Sequence, residues 1–330
     1  MYLARLRHHY HLLRARLRRL GNPPRPGSRG YGRHVEEEIR HYSRVFDRPD
    51  ERLIEPVPPV WDEIQRRVAR RIAAMTGADV TGHLVQRLAR KHGARLLSVG
   101  CGAGGVELAV AREAPRAEIV GVDLNEQLLA LGRARAEAEG LAVRFCQADL
   151  NTAPFDWGRF GVIFCHASLH HLLNLEHVFA GISRSLEPDG DLVVVDVIAR
   201  NGYRMWPETR KVVRTLWATL PERYRLNHTA YPGKWTDRKI WEADTRLAGM
   251  ECARSEELLP LLRERFRETA HVPLLAFCRR FFDTMYGPNY DLGRPLDRAI
   301  VDWLWQLDCR HLESGTLRPE SFFGIYRAPS

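Results

Sequence analysis

The sequence predicts an α/β fold built on a doubly wound, mostly parallel sheet. An apolar run at 96–99 breaks into a glycine cluster, Gly100-Cys-Gly-Ala-Gly-Gly105, and a helical pattern follows it. From Arg95 to Ile198, short apolar runs alternate with helical stretches, which is typical of parallel strands joined by crossover helices. Ligands of such sheets bind beside the carboxyl ends of the strands. These observations predict a ligand site at that edge.

The glycine cluster predicts a tight turn between the first strand and a helix. Gly100, Gly102 and Gly105 satisfy G-x-G-x-x-G, the dinucleotide pattern, while Gly100, Gly102 and Gly104 equally satisfy G-x-G-x-G. Glycine is favoured there because the backbone must pass close to a ligand. The spacing alone leaves the kind of nucleotide cofactor open.

The next two predicted strands each end on an acid. The run 118–123 ends at Asp123, whose carboxylate suits two ribose hydroxyls. The run 143–150 carries Asp149, which is placed to meet an adenine amino group. Together with the glycine turn, these acids favour an adenosine-containing cofactor.

Three later segments complete the predicted sheet. A fourth strand, 160–166, runs into a His-His-Leu turn, and a helix end with a Pro/Gly turn leads into a fifth strand that ends at Asp196. A short strand, 322–327, follows near the end of the chain.

In this order the motifs resemble a class I S-adenosylmethionine (SAM)-dependent methyltransferase. The resemblance is close over about residues 93–200 and looser over 247–255 and 322–327. It implies a seven-stranded, mostly parallel sheet with an antiparallel C-terminal strand, N-terminal helices and a helical lid. It also implies SAM as the cofactor, S-adenosylhomocysteine as the product, and a Rossmann-like core.

The resemblance carries over to individual residues of the cofactor site. The predicted cofactor-binding residues are Gly100, Gly102, Gly104, Asp123, Asn125, Asp149 and Leu150. One position departs from the family: Ser98 stands two residues before Gly100, where an Asp or Glu usually helps to hold the methionine ammonium. We therefore expect the amino-acid end of the cofactor to be held differently in this chain.

Methyl transfer is an in-line displacement, so the protein mainly has to align the acceptor and exclude water. A general base helps a hydroxyl acceptor and is often unnecessary for an amine or a thiol. His166 and His170, which follow the fourth strand, are the predicted catalytic residues, and neighbouring His171 is a further candidate. The predicted substrate-binding residues are Asp196, Arg200, Tyr203, Tyr231 and Tyr286. No His, Cys or Asp spacing indicates a metal.

Composition divides the chain into five parts. These are a basic, heptad-patterned tail and linker (1–33), a helical cap (34–92), the cofactor-binding core (93–200), aromatic-rich lid segments with the sixth strand at about 250–255 (201–320), and a C-terminal strand (321–330). The lid segments are expected to close over the methyl group as an apolar, aromatic-walled pocket, although such aromatics more often form the inner core of a covering segment.

The positive charge is concentrated in the tail. Residues 1–33 hold nine arginines and no acid, and the remaining 41 Lys and Arg balance 41 Asp and Glu. Residues 34–330 therefore carry no net charge and lack the positive electrostatic field expected of an enzyme that acts on nucleic acid. The leucine stripe over residues 3–20 predicts a partner helix, a homo-oligomer contact or self-docking. Unpaired cysteines and the lack of a long apolar run favour a cytoplasmic protein without a membrane span.

The sequence thus predicts a methyltransferase acting on a small hydrophobic or aromatic metabolite, as in small-molecule biosynthesis. O- or N-methylation is favoured, and C-methylation remains open. The alternatives are a protein or nucleic-acid methyltransferase that uses the basic tail, a non-catalytic binding protein of the same fold, and an NAD(P) oxidoreductase.

Overall fold

The computed structural model describes residues 24–28, 30–47, 57–90, 94–229, 234–242, 244–245 and 250–329. The predicted leucine stripe over residues 3–20, Tyr231 and the final residue lie outside this described part. No helix within the described ranges is long and apolar enough to cross a membrane.

The described residues form a seven-stranded sheet and a separate two-stranded hairpin. The strands are β1 (Arg95–Val99), β2 (Glu118–Asp123), β3 (Val143–Gln147), β4 (Phe160–His166), β5 (Leu186–Val197), β6 (Leu226–Asn227), β7 (Trp235–Thr236), β8 (Arg267–Leu274) and β9 (Ser321–Arg327). The large sheet has the order β3-β2-β1-β4-β5-β9-β8, and β6 pairs with β7.

Helices cover both faces of the large sheet. They are α1 (Tyr31–Asp47), α2 (Pro59–Thr76), α3 (Val80–Leu88), α4 (Gly105–Glu113), α5 (Glu126–Ala138), α6 (Leu175–Ser185), α7 (Pro207–Thr219), α8 (Ser255–Arg265), α9 (Arg279–Phe282) and α10 (Pro295–Glu313). Short 3-10 turns lie at Leu169–His171, Glu222–Arg225 and Gly287–Asn289.

The pairing confirms the predicted sheet. Strand β1 is parallel to both β2 and β4, β4 is parallel to β5, and β9 is antiparallel to β5. The chain order reverses on either side of β1, which creates a crevice at the carboxyl ends of β1 and β4. The fold therefore places the glycine turn and the His-His-Leu turn beside the same crevice.

The predicted position of the sixth strand, 250–255, is wrong. Residues 251–254 form a turn, α8 begins at Ser255, and the strand that occupies the sheet edge is β8. Strand β8 has mostly polar or partly exposed residues and carries Pro273, as an edge strand tolerates. It therefore lacks the continuous apolar run that marks the central strands.

The boundary predicted between the tail and the cap, after residue 33, is also corrected. Helix α1 begins at Tyr31, whose ring packs in a small apolar cluster with Leu173, Met250 and Ala253. Tyr31 thus belongs to the folded cap, and the division lies before it.

The aromatic segments after β5 form a core on one face of the sheet. Trp217 of α7, Phe281 of α9 and Leu304 of α10 are buried together with Val193 of β5 and Phe323 of β9. The opposite face is covered by α6 and α8. These segments are helical, as predicted, but their large side chains pack against the sheet.

Candidate functional site

A half-enclosed cavity of about 260 Å³ lies at the carboxyl ends of the central strands. Six of the seven predicted cofactor residues line it: Gly100, Gly102, Asp123, Asn125, Asp149 and Leu150. They come from the turns that follow β1, β2 and β3, which the parallel arrangement brings to one edge.

The first glycine of the turn is required by close packing. Gly100 has φ +74°, and a Cβ there would lie 2.4 Å from the Cβ of Ser168. Gly104 plays a different part, because it precedes α4 with φ +74° and a Cβ there would meet the ring of Phe145 at 2.5 Å. Gly104 is not one of the described residues that line the cavity. The structure gives it a role in packing against Phe145, and not the predicted contact with the cofactor.

Asp123 holds the turn and faces the cavity at the same time. Its carboxylate accepts hydrogen bonds from the backbone N–H of Gly102 at 2.8 Å and of Asn125 at 2.9 Å. Burial raises the pKa of this carboxyl. Since a carboxylate has about four acceptor positions, two remain for hydroxyl donors of a ligand.

Asn125 and Asp149 connect the cavity to α1. Asn125 caps α5 and its amide donates to Ser43 Oγ at 3.2 Å. Tyr31 donates to both oxygens of Asp149, at 2.9 and 2.7 Å. Burial and the neighbouring Asp149 raise the pKa of Tyr31, so the phenol stays protonated as the donor.

His166 is the predicted catalytic residue that the structure places in the cavity. It ends β4, its ring packs on Phe164 and the side chain is open to solvent. Partial desolvation by the surrounding protein lowers the pKa of His166, which keeps the imidazole neutral and able to accept a proton. The following residue, Ala167, has φ +49°, an unusual conformation that turns the chain away from the strand.

His170 does not line the cavity, which corrects its predicted catalytic role. It is 4% exposed, and its Nδ1 lies 2.5 Å from Asp196 Oδ1. Asp196 is itself buried and accepts from the backbone N–H groups of Ser168, Leu169 and Val197. Although burial opposes ionisation, His170 and these donors lower the pKa of Asp196. Asp196 therefore fixes the turn after β4 rather than contacting a substrate.

His171 lines the cavity in place of its neighbour. Its Nδ1 lies 2.8 Å from Glu38 Oε1, and its Nε2 lies 3.4 Å from Glu251 Oε2 and 3.2 Å from the hydroxyl of Tyr42. Burial disfavours the imidazolium, but the two carboxylates outweigh it and raise the pKa of His171 to about 9. His171 is thus a fixed cation at neutral pH.

The other predicted substrate residues lie away from the cavity. The guanidinium of Arg200 donates to the carbonyl of Met205 at 3.5 Å, and Tyr203 packs beneath the guanidinium of Arg280. Tyr286 is 1% exposed and donates to Asp237. The reason is common to them: the segments that carry them pack on the face of the sheet. Tyr231 lies outside the described residues.

The cavity is lined on one side by the helical cap that the sequence predicts over 34–92, and not by the aromatic segments after β5. Glu38, Ile39 and Tyr42 of α1, together with Met250, line it, whereas no described residue of the lid segments other than Met250 does. The predicted aromatic lid over the methyl group is therefore replaced by α1 and Met250.

Comparison with known proteins assigns the segment that holds this cavity. Residues 96–190 match the family model described as a methyltransferase domain. A demethylmenaquinone methyltransferase of Thermus thermophilus is 36% identical over 31% of this chain and 46% of its own length. A sterol 4-C-methyltransferase of Caenorhabditis elegans is 31% identical over 37% of this chain and 36% of its own length.

The chain spans less than half the length of either relative. Among solved structures, that of the [4+2]-cyclase SpnF aligns with 94% of this chain and 99% of its own, at 18% identity and a TM-score of 0.49.

Proposed function

We propose that the protein is a class I SAM-dependent methyltransferase that transfers the methyl group of SAM to a small-molecule acceptor, since residues 96–190 match the model of a methyltransferase domain. The observation that carries the proposal is the cavity itself, in which cofactor residues and a neutral histidine share one half-enclosed space. When bound, SAM supplies a methyl group activated by a sulfonium.

The residues present fit this cofactor. Asp123 has acceptor positions left for two ribose hydroxyls, and Asp149 and Leu150 line the neighbouring part of the cavity, where an adenine would lie. Gly100 and Gly102 have no side chain to obstruct the amino-acid end beside β1.

The cover formed by α1 favours a small acceptor. Tyr42 and Met250 lie over the cavity opposite the glycine turn, and the charged pair of Glu38 and His171 joins the same wall. A bulky macromolecule would have to displace these contacts, whereas a small ring or chain fits between the apolar side chains. We therefore propose an acceptor with a hydrophobic or aromatic body and one polar reacting group.

His166 is the residue that we propose as the base. Its neutral imidazole can take a proton from an acceptor hydroxyl or ammonium as the new bond forms. His171, held as an imidazolium by Glu38 and Glu251, already carries its proton at neutral pH and is unsuited to that role. Correct alignment contributes most of the rate, on the order of 7–11 kcal/mol of the barrier. O- or N-methylation is accordingly favoured.

C-methylation is a second candidate, favoured by the comparisons. Both curated relatives above are named as methyltransferases of quinone or sterol compounds, and one name specifies a carbon acceptor. A phenol or enol acceptor, deprotonated by His166 and held beside His171, would react at carbon in the same cavity.

The test measures SAM binding by calorimetry and S-adenosylhomocysteine formation with a panel of quinols, phenols, sterols and amines. With a productive acceptor, His166→Ala should lower kcat by about 100-fold or more while SAM affinity changes little. The matched control is His311→Ala, on α10 away from the cavity. A wild-type protein that fails to bind SAM contradicts the proposed function, and an unchanged kcat in His166→Ala contradicts the proposed base.

A further inference from the structure

A buried carboxyl group lies beneath the glycine turn and has no part in the function proposed so far. Glu107, in the first turn of α4, is 3% exposed. Its Oε1 accepts a hydrogen bond of 2.5 Å from the hydroxyl of Ser98, which is 1% exposed on β1. A buried carboxyl group is costly unless something offsets its charge.

The glycine turn brings this carboxyl group close to the cavity. Cys101 belongs to the turn and lines the cavity. Burial, and then the charges of Glu107 and Asp123, raise the pKa of the Cys101 thiol, so Glu107 acts on the turn from below.

The order of the strands fixes where the amino-acid end of the cofactor lies. Asp149 follows β3 and Asp123 ends β2, so a cofactor whose adenine and ribose were held there would have its amino-acid end over β1 and β4. That end carries an ammonium, which needs an anionic partner once it leaves water.

Glu38, which lines the cavity, and Glu251 are both paired with His171, so we compare the two buried carboxyl groups of Asp196 and Glu107. Asp196 is saturated by His170 and three backbone N–H groups. Glu107 uses one hydrogen-bond acceptor position for the hydroxyl of Ser98 and has further acceptor positions for another donor. Ser98 stands at the position where the resemblance predicts an Asp or Glu. The carboxyl group of Glu107, bonded to the Ser98 hydroxyl, lies where the side chain of that acid would be expected.

We propose that Glu107, oriented by the hydroxyl of Ser98, provides the negative charge that holds the ammonium of SAM. The inference rests on the proposed function, since it concerns the same cofactor. In this chain the carboxyl group comes from Glu107 on helix α4 and not from strand β1. The Glu107 side chain extends to Ser98 on β1 and supplies the carboxylate that Ser98 lacks.

The proposal has a proton-linked consequence. Burial raises the pKa of Glu107, although the Ser98 hydrogen bond opposes the shift. An ammonium placed beside it lowers the pKa again. Binding should then release protons in mildly acidic buffer.

The experiment compares two ligands by titration calorimetry. S-adenosylhomocysteine has the amino-acid end, and 5′-methylthioadenosine lacks it while keeping adenine and ribose. Glu107→Gln preserves the shape and the bond to Ser98, and should raise the Kd of S-adenosylhomocysteine about 10- to 100-fold, the range of a hydrogen bond to a charged group. The Kd of methylthioadenosine should stay within about twofold. Glu113→Gln, at the exposed end of the same helix, is the matched control and should change neither.

Three further readouts make the result decisive. Titrations in two buffers of different ionisation enthalpy should show proton release in the wild type and none in Glu107→Gln. Ser98→Asp in the Glu107→Gln background should recover affinity for S-adenosylhomocysteine alone. If Glu107→Gln does not fold, Ser98→Ala keeps the charge but loses its orientation, and should weaken S-adenosylhomocysteine severalfold without affecting methylthioadenosine.

The outcomes separate this inference from the proposed function. A wild type that binds neither ligand contradicts the proposed function. A wild type that binds both, with Glu107→Gln weakening both equally or neither, overturns the role of Glu107 and leaves the proposed function standing.

Discussion

Two adjacent histidines in the turn after β4 have opposite surroundings. The ring centroids of His170 and His171 lie 4.1 Å apart, yet only His171 lines the cavity, while His170 is held inside by Asp196. In a 3-10 turn, neighbouring side chains point about a third of a turn apart. The sequence could predict that this turn faces the site, but the choice between the two histidines depends on where Asp196 and Glu38 lie in space.

The charge on His171 predicts a pH dependence of stability. Its pKa rises from 6.5 to about 9 in the folded protein, so the stabilising effect is complete below about 6.5 and is lost as pH increases toward 9. Glu38 and Glu251 have lowered pKa values and Tyr42 a raised one, so these three partners do not titrate in this window.

The free energy of unfolding should therefore fall between pH 6.5 and pH 9, by up to about 1.4 kcal/mol for each unit of the shift. Urea unfolding at the two pH values measures this difference. His171→Gln should remove most of it. An equal pH dependence in the wild type and the variant would show that His171 is not the titrating group.

Asp123 gives the most direct test of the cofactor site. Asp123→Ala should weaken SAM and S-adenosylhomocysteine binding by roughly 1.5–3 kcal/mol, because a charged acceptor is lost. Asp156→Ala, an exposed acid in the loop after β3, should leave the affinity unchanged. NAD(H) should not bind to the wild type or to either variant. Calorimetry that finds equal affinities in folded Asp123→Ala and wild type would contradict the ribose assignment.

Elements whose signals are local could be predicted from the sequence. Strands β1, β2, β4 and β5 have apolar runs, and Gly100 and Asp123 mark where the first two end. Strand β8 could not be recognised, since an edge strand buries few side chains and needs no apolar run. The helical cap could be predicted, but its docking contact could not: α1 docks through Tyr31 on Asp149, 118 residues away, and no local pattern records such a contact.

Helix α1 and the chain before it should therefore differ in their effects on binding. Removing residues 1–23, which lie outside the described part, should leave S-adenosylhomocysteine affinity and small-molecule turnover intact. Removing residues 1–47 also deletes Tyr31, Glu38 and Tyr42, and should lower both, since the cavity loses one wall. Calorimetry and product formation measure the two effects.

The shorter truncation also separates small from large acceptors. A protein or nucleic-acid methyltransferase that relies on the basic tail would lose turnover when residues 1–23, which hold six of the nine arginines, are removed, although its cofactor affinity would persist. That result would favour a macromolecular acceptor over the one proposed above.

At the scale of the whole molecule, the segments on both sides of residues 96–190 share one core. Ile64 of α2, Trp217 of α7 and Val301 of α10 belong to the same buried cluster as Val193 and Phe323 of the sheet. The aromatics after β5 were predicted to shield the methyl group. Their number is explained by the need to bury helices on the sheet, since large rings contribute most to such a core.

A core role and a lid role predict different results for Trp217→Ala. Trp217 is 1% exposed, packs against Phe281 and Tyr286, and donates to the carbonyl of Asp237 at 3.1 Å. As a core residue its loss should lower the free energy of unfolding by about 3–5 kcal/mol and leave S-adenosylhomocysteine affinity of the folded protein unchanged. As a lid residue its loss would impair turnover at nearly constant stability.

Trp303→Ala, at a site that is 46% exposed, is the control and should change stability by less than about 0.5 kcal/mol. Urea unfolding followed by circular dichroism, with calorimetry on the same samples, distinguishes the two roles.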